Sequence, residues 1–386
     1  MSEAVDKVVI RRGLKDVYFE RSKVCFIDGR AGELRYRGYS IHDLAEQSTF
    51  EETCYLLLYG ELPTRAQLAA FEGELKSARC LPPAVLDLVR ALARAHPMVV
   101  LRTAVSALAA FDPEADENSL DATRRKGVRL TSQVPMIVAA HERMRRGLEV
   151  VAPDPTLSHA ANFLWMLKGE RPGAEAARLI DVDLILHAEH GSNASAFAAR
   201  VVASTEANLH AAVTAALAAL AGPAHGGAAE NVMRMAAEIG DDAKVAEYVK
   251  RKRAAREPIV GFGHRVYRTE DPRARPMRAG VERLSRQMGQ PHWFRILQAL
   301  VQAMQPYARH GVNVNVDFYA GVVYHLLGLQ EDLFVPIFAL GRVPGWTVQV
   351  LEQLEHNILI RPLTLYDGPG PRPYVSLEHR GQFPLG

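Results

Sequence analysis

Strand-like patterning is confined to the start of the chain, where Val24-Cys25-Phe26-Ile27, an Asp28-Gly29 turn and Leu34-Arg35-Tyr36 predict a small β-hairpin. Beyond it, apolar residues recur at helical spacing. Ser48-Thr49-Phe50-Glu51 reads as a capping box opening an amphipathic run that stops at Gly60, and Thr64-Arg65-Ala66-Gln67 opens the next. Pro82-Pro83, His96-Pro97, Ser158 and Pro172 punctuate the rest, each followed by ten or more residues with helical spacing. At ordinary helix lengths this predicts about fifteen to twenty helices joined by short loops. The fold class is all-α, mainly helical, with a small N-terminal hairpin.

Residues 205–221 are nearly all alanine, leucine and valine, without the polar face of a surface helix, and predict a buried central helix. It ends at Gly222-Pro223, and residues 226–256 are distinctly more charged. That shift places a boundary: residues 1–223 and 319–386 are expected to build a large helical domain and residues 224–318 a smaller one. No internal repeat or low-complexity linker separates them, so the two are expected to pack along a cleft.

At 386 residues and 48% hydrophobic, the chain can fill a large interior. Its 46 basic and 44 acidic residues leave a net charge of only +2, and no basic run is long enough to track nucleic acid. Arginine outnumbers lysine, which suits a multiply anionic ligand gripped by guanidinium forks. Cys25, Cys54 and Cys80 form neither a metal or redox motif nor a disulfide framework, pointing to a reducing cytoplasm. There is no signal-like N-terminal segment, and the longest apolar run, near residues 211–221, is far shorter than a membrane span. A soluble, cytoplasmic protein without a membrane partner is expected.

Four segments set ionisable residues beside glycines or helix breakers. In His187-Ala188-Glu189-His190-Gly191-Ser192-Asn193, a helix would put both histidines on one face, as an anion-binding pair or as histidines satisfied in the core. Zinc would need a third ligand, and neither H-E-x-x-H nor a nearby cysteine supplies it. Gly222-Pro223-Ala224-His225-Gly226-Gly227 sets a histidine at a helix start. There an imidazole tends to stay neutral and able to donate to an oxyanion, and a plain tight turn is the alternative. Val260-Gly261-Phe262-Gly263-His264-Arg265-Val266-Tyr267 runs to Asp271-Pro272-Arg273; its glycines suit a close backbone approach, yet complete neither a Rossmann fingerprint nor a P-loop. In Asn315-Val316-Asp317-Phe318-Tyr319 a carboxylate framed by apolar neighbours would be a strengthened base if buried, or else a helix N-cap.

Taken together and in this order, the four segments resemble the citrate synthase family across nearly the whole chain. Phe26-Ile27-Asp28-Gly29 and Tyr36-Arg37-Gly38-Tyr39 look like the family's opening hairpin, and Leu157-Ser158-His159-Ala160-Ala161-Asn162-Phe163 like a helix of its large domain. Arg342 with Gly345-Trp346, then Arg361-Pro362 with Tyr366 and Gly368, continue the likeness to the C-terminus.

That resemblance implies a Claisen-type condensation of acetyl-CoA with oxaloacetate, then hydrolysis of citryl-CoA, with no metal and no cofactor. It gives Asp317 as the base, His225 as stabiliser of the enolate oxygen and His264 as polariser of the ketone. It implies His190, Asn193, Arg273, Arg342 and Arg361 for oxaloacetate, Arg361 reaching in from the partner of a homodimer, and Gly261, Phe262, Gly263 and Arg268 for CoA. The chain departs from the family's usual wording at Val99, Ala196, Ala229, Val314 and Gln349. Two alternatives stand beside this reading: a 2-methylcitrate synthase of the same fold taking propionyl-CoA, and, motivated by those departures, a catalytically silent scaffold or regulatory paralogue. His264-Arg265-Val266-Tyr267 looks more like the citrate enzymes.

Overall fold

The computed structural model describes residues 9–380 apart from 15 and 227, and apart from the side chains of 228–230. The expected hairpin forms: β1 (Cys25–Asp28) pairs antiparallel with β2 (Glu33–Tyr36), and β3 (Tyr39–Ser40) extends the sheet. Sixteen α-helices follow among the described residues. They are α1 (Ile41–Gln47), α2 (Phe50–Tyr59), α3 (Arg65–Ser77), α4 (Pro83–Ala91), α5 (Pro97–Leu108), α6 (Leu120–Arg145), α7 (His159–Lys168) and α8 (Ala174–His187). After these come α9 (Ala194–Ser204), α10 (Leu209–Leu220), α11 (Ala228–Ile239), α12 (Val245–Ala254), α13 (Ala274–Gln287), α14 (Pro291–Ala308), α15 (Asp317–Leu326) and α16 (Phe334–Glu355).

The caps show why the helices begin where they do. Thr64 and Gln67 close the expected capping box at α3, and Ser158 accepts from Ala161 N–H at α7. Pro83 and Pro97 occupy first-turn positions, where a missing N–H is harmless. One expected box moves by a residue: Ser48 ends α1, while Thr49 caps α2 by accepting from Glu52 N–H. Glu51 instead turns inward, its Oε1 accepting from His159 N–H at 2.6 Å. The apolar run at 205–221 is also shorter as a helix than expected. Thr205 ends α9, and Asn208 opens α10 by accepting from Ala211 N–H. The side of α10 carrying Ala212, Ala216 and Leu220 is buried, whereas Ala211, Ala218 and Ala221 are exposed.

Helix α16 is the centre of the larger group of helices and packs on α6, α8, α9 and α10. It is long and apolar enough by composition to cross a membrane, but most of it is enclosed within the fold. Its Trp346 heads the fully buried side chains. A second group joins α11, α12, α13 and α14 to α15, and α13 leans on α8. Beyond α16 the chain runs extended, and Ile358, Leu363, Tyr366 and Tyr374 stand exposed.

His159 and His210 are buried and neither ring makes a hydrogen bond among the described residues, though His210 Nε2 faces Asp112 Oδ2 at 3.6 Å. Burial, reinforced at His159 by Arg79, lowers their proton affinity, to about 3 for His159 and about 4 for His210. Below the unfolded value near 6.5, the unfolded chain takes up protons that the folded one refuses. Stability is therefore full above about pH 6.5 and falls as pH drops toward these folded-state values, by about 1.4 kcal/mol per group per pH unit. We expect the melting temperature to fall from pH 6.5 to 4.5 and the fall to be shallower in His159→Gln. An unchanged slope in differential scanning calorimetry would remove His159 from the account.

Candidate functional site

The site lies where the loop after α8, the turn before α11 and the loops before α13 and α15 meet α16. Packing between α8 and α16 sets the distance. A methyl group at Gly341 would lie 2.8 Å from the Leu184 carbonyl oxygen, and one at Gly345 only 2.0 Å from that of Ala188. Bare backbone at both positions lets α16 approach until Arg342 Nε donates to the His187 carbonyl. The Arg342 guanidinium lies over the Phe338 ring, 4.7 Å from its centroid. Burial lowers its pKa to about 10, with Glu189 opposing the shift, so it keeps its charge at neutral pH.

Helix α8 ends at His187, so His187 and His190 do not share a helical face as the spacing predicts. His187 Nδ1 turns back to the Asp183 carbonyl at 2.8 Å, while His190 Nε2 lies 3.1 Å from the Tyr267 hydroxyl. His190 is held well below its ordinary pKa, first by burial and then by Arg273, His264 and Arg342. Asn193 is the N-cap of α9: its Oδ1 accepts from Ser195 and Ala196 N–H, and its Nδ2 donates to the Gly191 carbonyl at 3.2 Å.

His225 sits in the turn before α11. Its Nε2 accepts from Ser195 N–H at 3.3 Å and lies 3.0 Å from Ser195 Oγ. That hydroxyl donates to Asn193 Oδ1 at 2.7 Å and accepts the Trp346 indole N–H at 3.1 Å. The network thus leaves Nε2 unprotonated and the proton on Nδ1. His264 has the opposite tautomer: its Nδ1 accepts from the N–H groups of Val266 at 3.0 Å and Tyr267 at 3.1 Å, leaving the proton on Nε2. Both rings are neutral, with pKa values lowered to about 4. Burial is the main cause, followed by Arg342 at His225 and Arg273 at His264. For His225 the sequence pointed to a neutral imidazole through a helix dipole, and in the structure burial and Arg342 act in that same direction.

Asp317 is the first residue of α15, one position after the N-cap, so the N-cap reading does not hold. Burial raises its pKa, Asp271 and Asp183 add to the rise, and His187 and Arg273 oppose it. No hydrogen-bond donor reaches its carboxylate among the described residues. Its loop is joined to that of His264. Phe262 pairs with Val314, Gly263 N–H donates to the Asn313 carbonyl at 2.7 Å, and Asn315 N–H to that of Gly261 at 3.0 Å. Gly261 needs its positive φ of 81°, and a Cβ there would lie 2.6 Å from Phe318 Cδ2, so its freedom serves this packing. Val314 N–H makes no hydrogen bond among the described residues, so a proline at this position would cost no backbone bond.

Arg273 is buried and forked onto Asp271, with Nε to Oδ1 at 3.0 Å and Nη2 to Oδ2 at 2.8 Å. Burial opposes the charge on both partners, and their contact more than offsets it. Arg268 is exposed, its backbone N–H donating to the Gly29 carbonyl at 2.7 Å. Arg361 lies on the exposed C-terminal segment, and the single chain does not bring it to the other site residues. The Ala229 side chain lies outside the described residues.

The structure adds residues that the sequence reading did not single out as site residues. Ser195 sets the His225 tautomer. Glu189 is buried and its pKa is pushed up by burial to about 7, with Oε1 accepting from Gln349 Nε2 at 2.8 Å and Oε2 unpaired. Gln349 Oε1 in turn accepts from Arg200 at 3.0 Å. These residues carry no motif of their own, and Gln349 stood out only as a departure.

Two neutral imidazoles with a proton to donate, a desolvated carboxylate and two buried guanidiniums suit removal of a weakly acidic C–H proton beside a bound dianion. We expect 15N NMR of histidine-labelled protein at pH 6 to show His225 as the Nδ1–H and His264 as the Nε2–H tautomer. An imidazolium at either position sinks this assignment.

The family described as citrate synthase, C-terminal domain, matches residues 13–363. A citrate synthase from Haloferax volcanii is 44% identical over 377 residues, covering 96% of this chain and 99% of its own. A 2-methylcitrate synthase 1 from Corynebacterium glutamicum is 40% identical, covering 96% and 98%. The crystal structure of citrate synthase from Pyrobaculum aerophilum superposes with a TM-score of 0.92 at 42% identity, over 96% of this chain and 95% of that one. That of the Thermoplasma acidophilum citrate synthase, a ternary complex with carboxymethyl coenzyme A and oxaloacetate, gives 0.90 at 32% identity, over 96% and 100%.

Proposed function

The chain belongs to the citrate synthase family, and we propose that it condenses acetyl-CoA with oxaloacetate and hydrolyses citryl-CoA to citrate and CoA. The observation that carries this is the unpaired, desolvated Asp317 on the same paired loops as the neutral His264. Asp317 takes a methyl proton of acetyl-CoA while the Nδ1–H of His225 donates to the enolate oxygen forming on the thioester. The carbanion attacks the ketone of oxaloacetate, whose oxygen the Nε2–H of His264 polarises. Water then cleaves the thioester. Removal of the proton, stabilisation of the enolate and polarisation of the ketone all fall to side chains, and no metal or cofactor enters.

The oxaloacetate carboxylates fall to Arg273, Arg342 and His190. Asn193 acts through the turn it caps, and Arg361 comes from the partner of a homodimer. The exposed apolar residues of the C-terminal segment and the uncovered small residues of α10 support that second copy. CoA takes the exposed side of the 261–268 loop, with Gly261, Phe262, Gly263 and Arg268. In this reading, residues 1–223 and 319–386 form the large domain and 224–318 the small one, closing over the reaction to keep water from the enolate. The setting is cytoplasmic, at the entry of the tricarboxylic acid cycle.

The 40% identical 2-methylcitrate synthase keeps a propionyl-CoA reading in play, since one methylene changes binding by only about 1–3 kcal/mol in an apolar pocket. CoA release followed by thiol detection decides between them. We expect oxaloacetate-dependent release that favours acetyl-CoA over propionyl-CoA, survives EDTA and falls about 10²–10⁴-fold in Asp317→Ala. Preference for propionyl-CoA moves the assignment to 2-methylcitrate synthase, and no release from folded protein with either donor favours a silent paralogue. Mixing inactive Arg361→Ala and Asp317→Ala subunits should restore about a quarter of wild-type activity, because the hybrid dimer has one intact composite site. No restoration after confirmed subunit exchange refutes the shared site.

A further inference from the structure

Tyr267 has no role in the chemistry above, yet it touches both histidines that flank the proposed ketone site. Its side chain is fully buried. The ring centroid lies 4.8 Å from that of His264 and 5.5 Å from that of His190. Its backbone N–H donates to His264 Nδ1 at 3.1 Å, and its hydroxyl sits 3.1 Å from His190 Nε2. Burial keeps the phenol protonated and His190 neutral, so this is a hydrogen bond between uncharged groups.

The residues on either side of Tyr267 are pinned. A Cβ at Gly29 would lie 2.3 Å from the Val266 carbonyl oxygen. The Arg268 N–H is tied to Gly29, and the Arg268 carbonyl accepts from Asn313 Nδ2 at 3.0 Å. The phenol is thus a fixed post. An imidazole without such a partner turns readily about its terminal torsion, exchanging a ring nitrogen for a carbon.

We propose that Tyr267 is a positioning residue for the dicarboxylate: its hydroxyl fixes the orientation of the His190 ring while its backbone N–H fixes the orientation and tautomer of His264, so both histidines are set before substrate arrives. This deepens the oxaloacetate reading of the site and rests on it. Preorganisation of this kind appears as affinity, because the ordering cost is met in folding and not in binding.

Tyr267→Phe keeps the ring and the backbone and removes only the hydroxyl. With the full-length protein, the KM for oxaloacetate should rise about tenfold, in line with an unpaired buried polar group, while kcat and the KM for acetyl-CoA stay within about threefold. In a His190→Asn background the same substitution should have no further effect on the oxaloacetate KM, since its partner ring is gone. A merely structural tyrosine would lower the melting temperature without this split. An unchanged oxaloacetate KM in Tyr267→Phe, or an equal rise in both backgrounds, overturns the proposal and leaves the reaction intact. A wild-type protein that releases no CoA overturns the reaction and this proposal together.

Discussion

The approach of α16 to α8 is the constraint on which the site depends. Two helices normally stand 8–10 Å apart because side chains keep them so, and here Gly341 and Gly345 remove that spacer on one face. The contact sends Arg342 to the carbonyl at the end of α8, sets Trp346 against Ser195, and brings Gln349 to Glu189. Ser195 then holds His225, so the enolate-facing imidazole is indexed to the same helix as the anion-binding guanidinium. A small displacement of α16 would shift a charge, a tautomer and a buried amide network together.

Burial acts on the ionisable groups at the centre of the site, and its result depends on the partner. His225 and His264, with buried guanidiniums nearby that add to the effect of burial, become neutral donors. Arg273 keeps its charge through Asp271, whereas Arg342 stays charged with Glu189 nearby and no ionic fork. Asp317 has opposing neighbours and no donor, the environment that makes a carboxylate more basic. The site therefore holds acid, base and cation without an exposed ionic lattice that water would screen.

Much of the helical architecture was legible from local signals. Thr64 with Gln67, Pro83, Pro97 and Ser158 each announce a helix by satisfying or omitting a first-turn N–H, and such chemistry needs no tertiary context. The apolar run at 205–221 was legible as helix but not in extent, because its first four residues, Thr205 to Asn208, lie outside any helix, a break that the alanine-rich run after them conceals. The break after His187 was illegible for a related reason: helical propensity continues across it, while the chain turns where Ala188 packs against Gly345. Among site residues, those flanked by glycine or proline stood out, whereas Ser195, Glu189 and Tyr267 acquire their roles from partners 30 to 160 positions away. Arg361 was readable only through family likeness, since nothing within one chain draws it inward.

The pairing of residues 261–263 with 313–315 has a mechanical consequence. It splices two loops, about fifty positions apart in sequence, into one stiff plate that carries His264 at one edge and Asp317 at the other. Any rearrangement that leaves this pairing intact carries the two together. His225, held by Ser195, and Arg342 on α16 are not part of that plate, so a change in their distance to it leaves the spacing of His264 and Asp317 as it was.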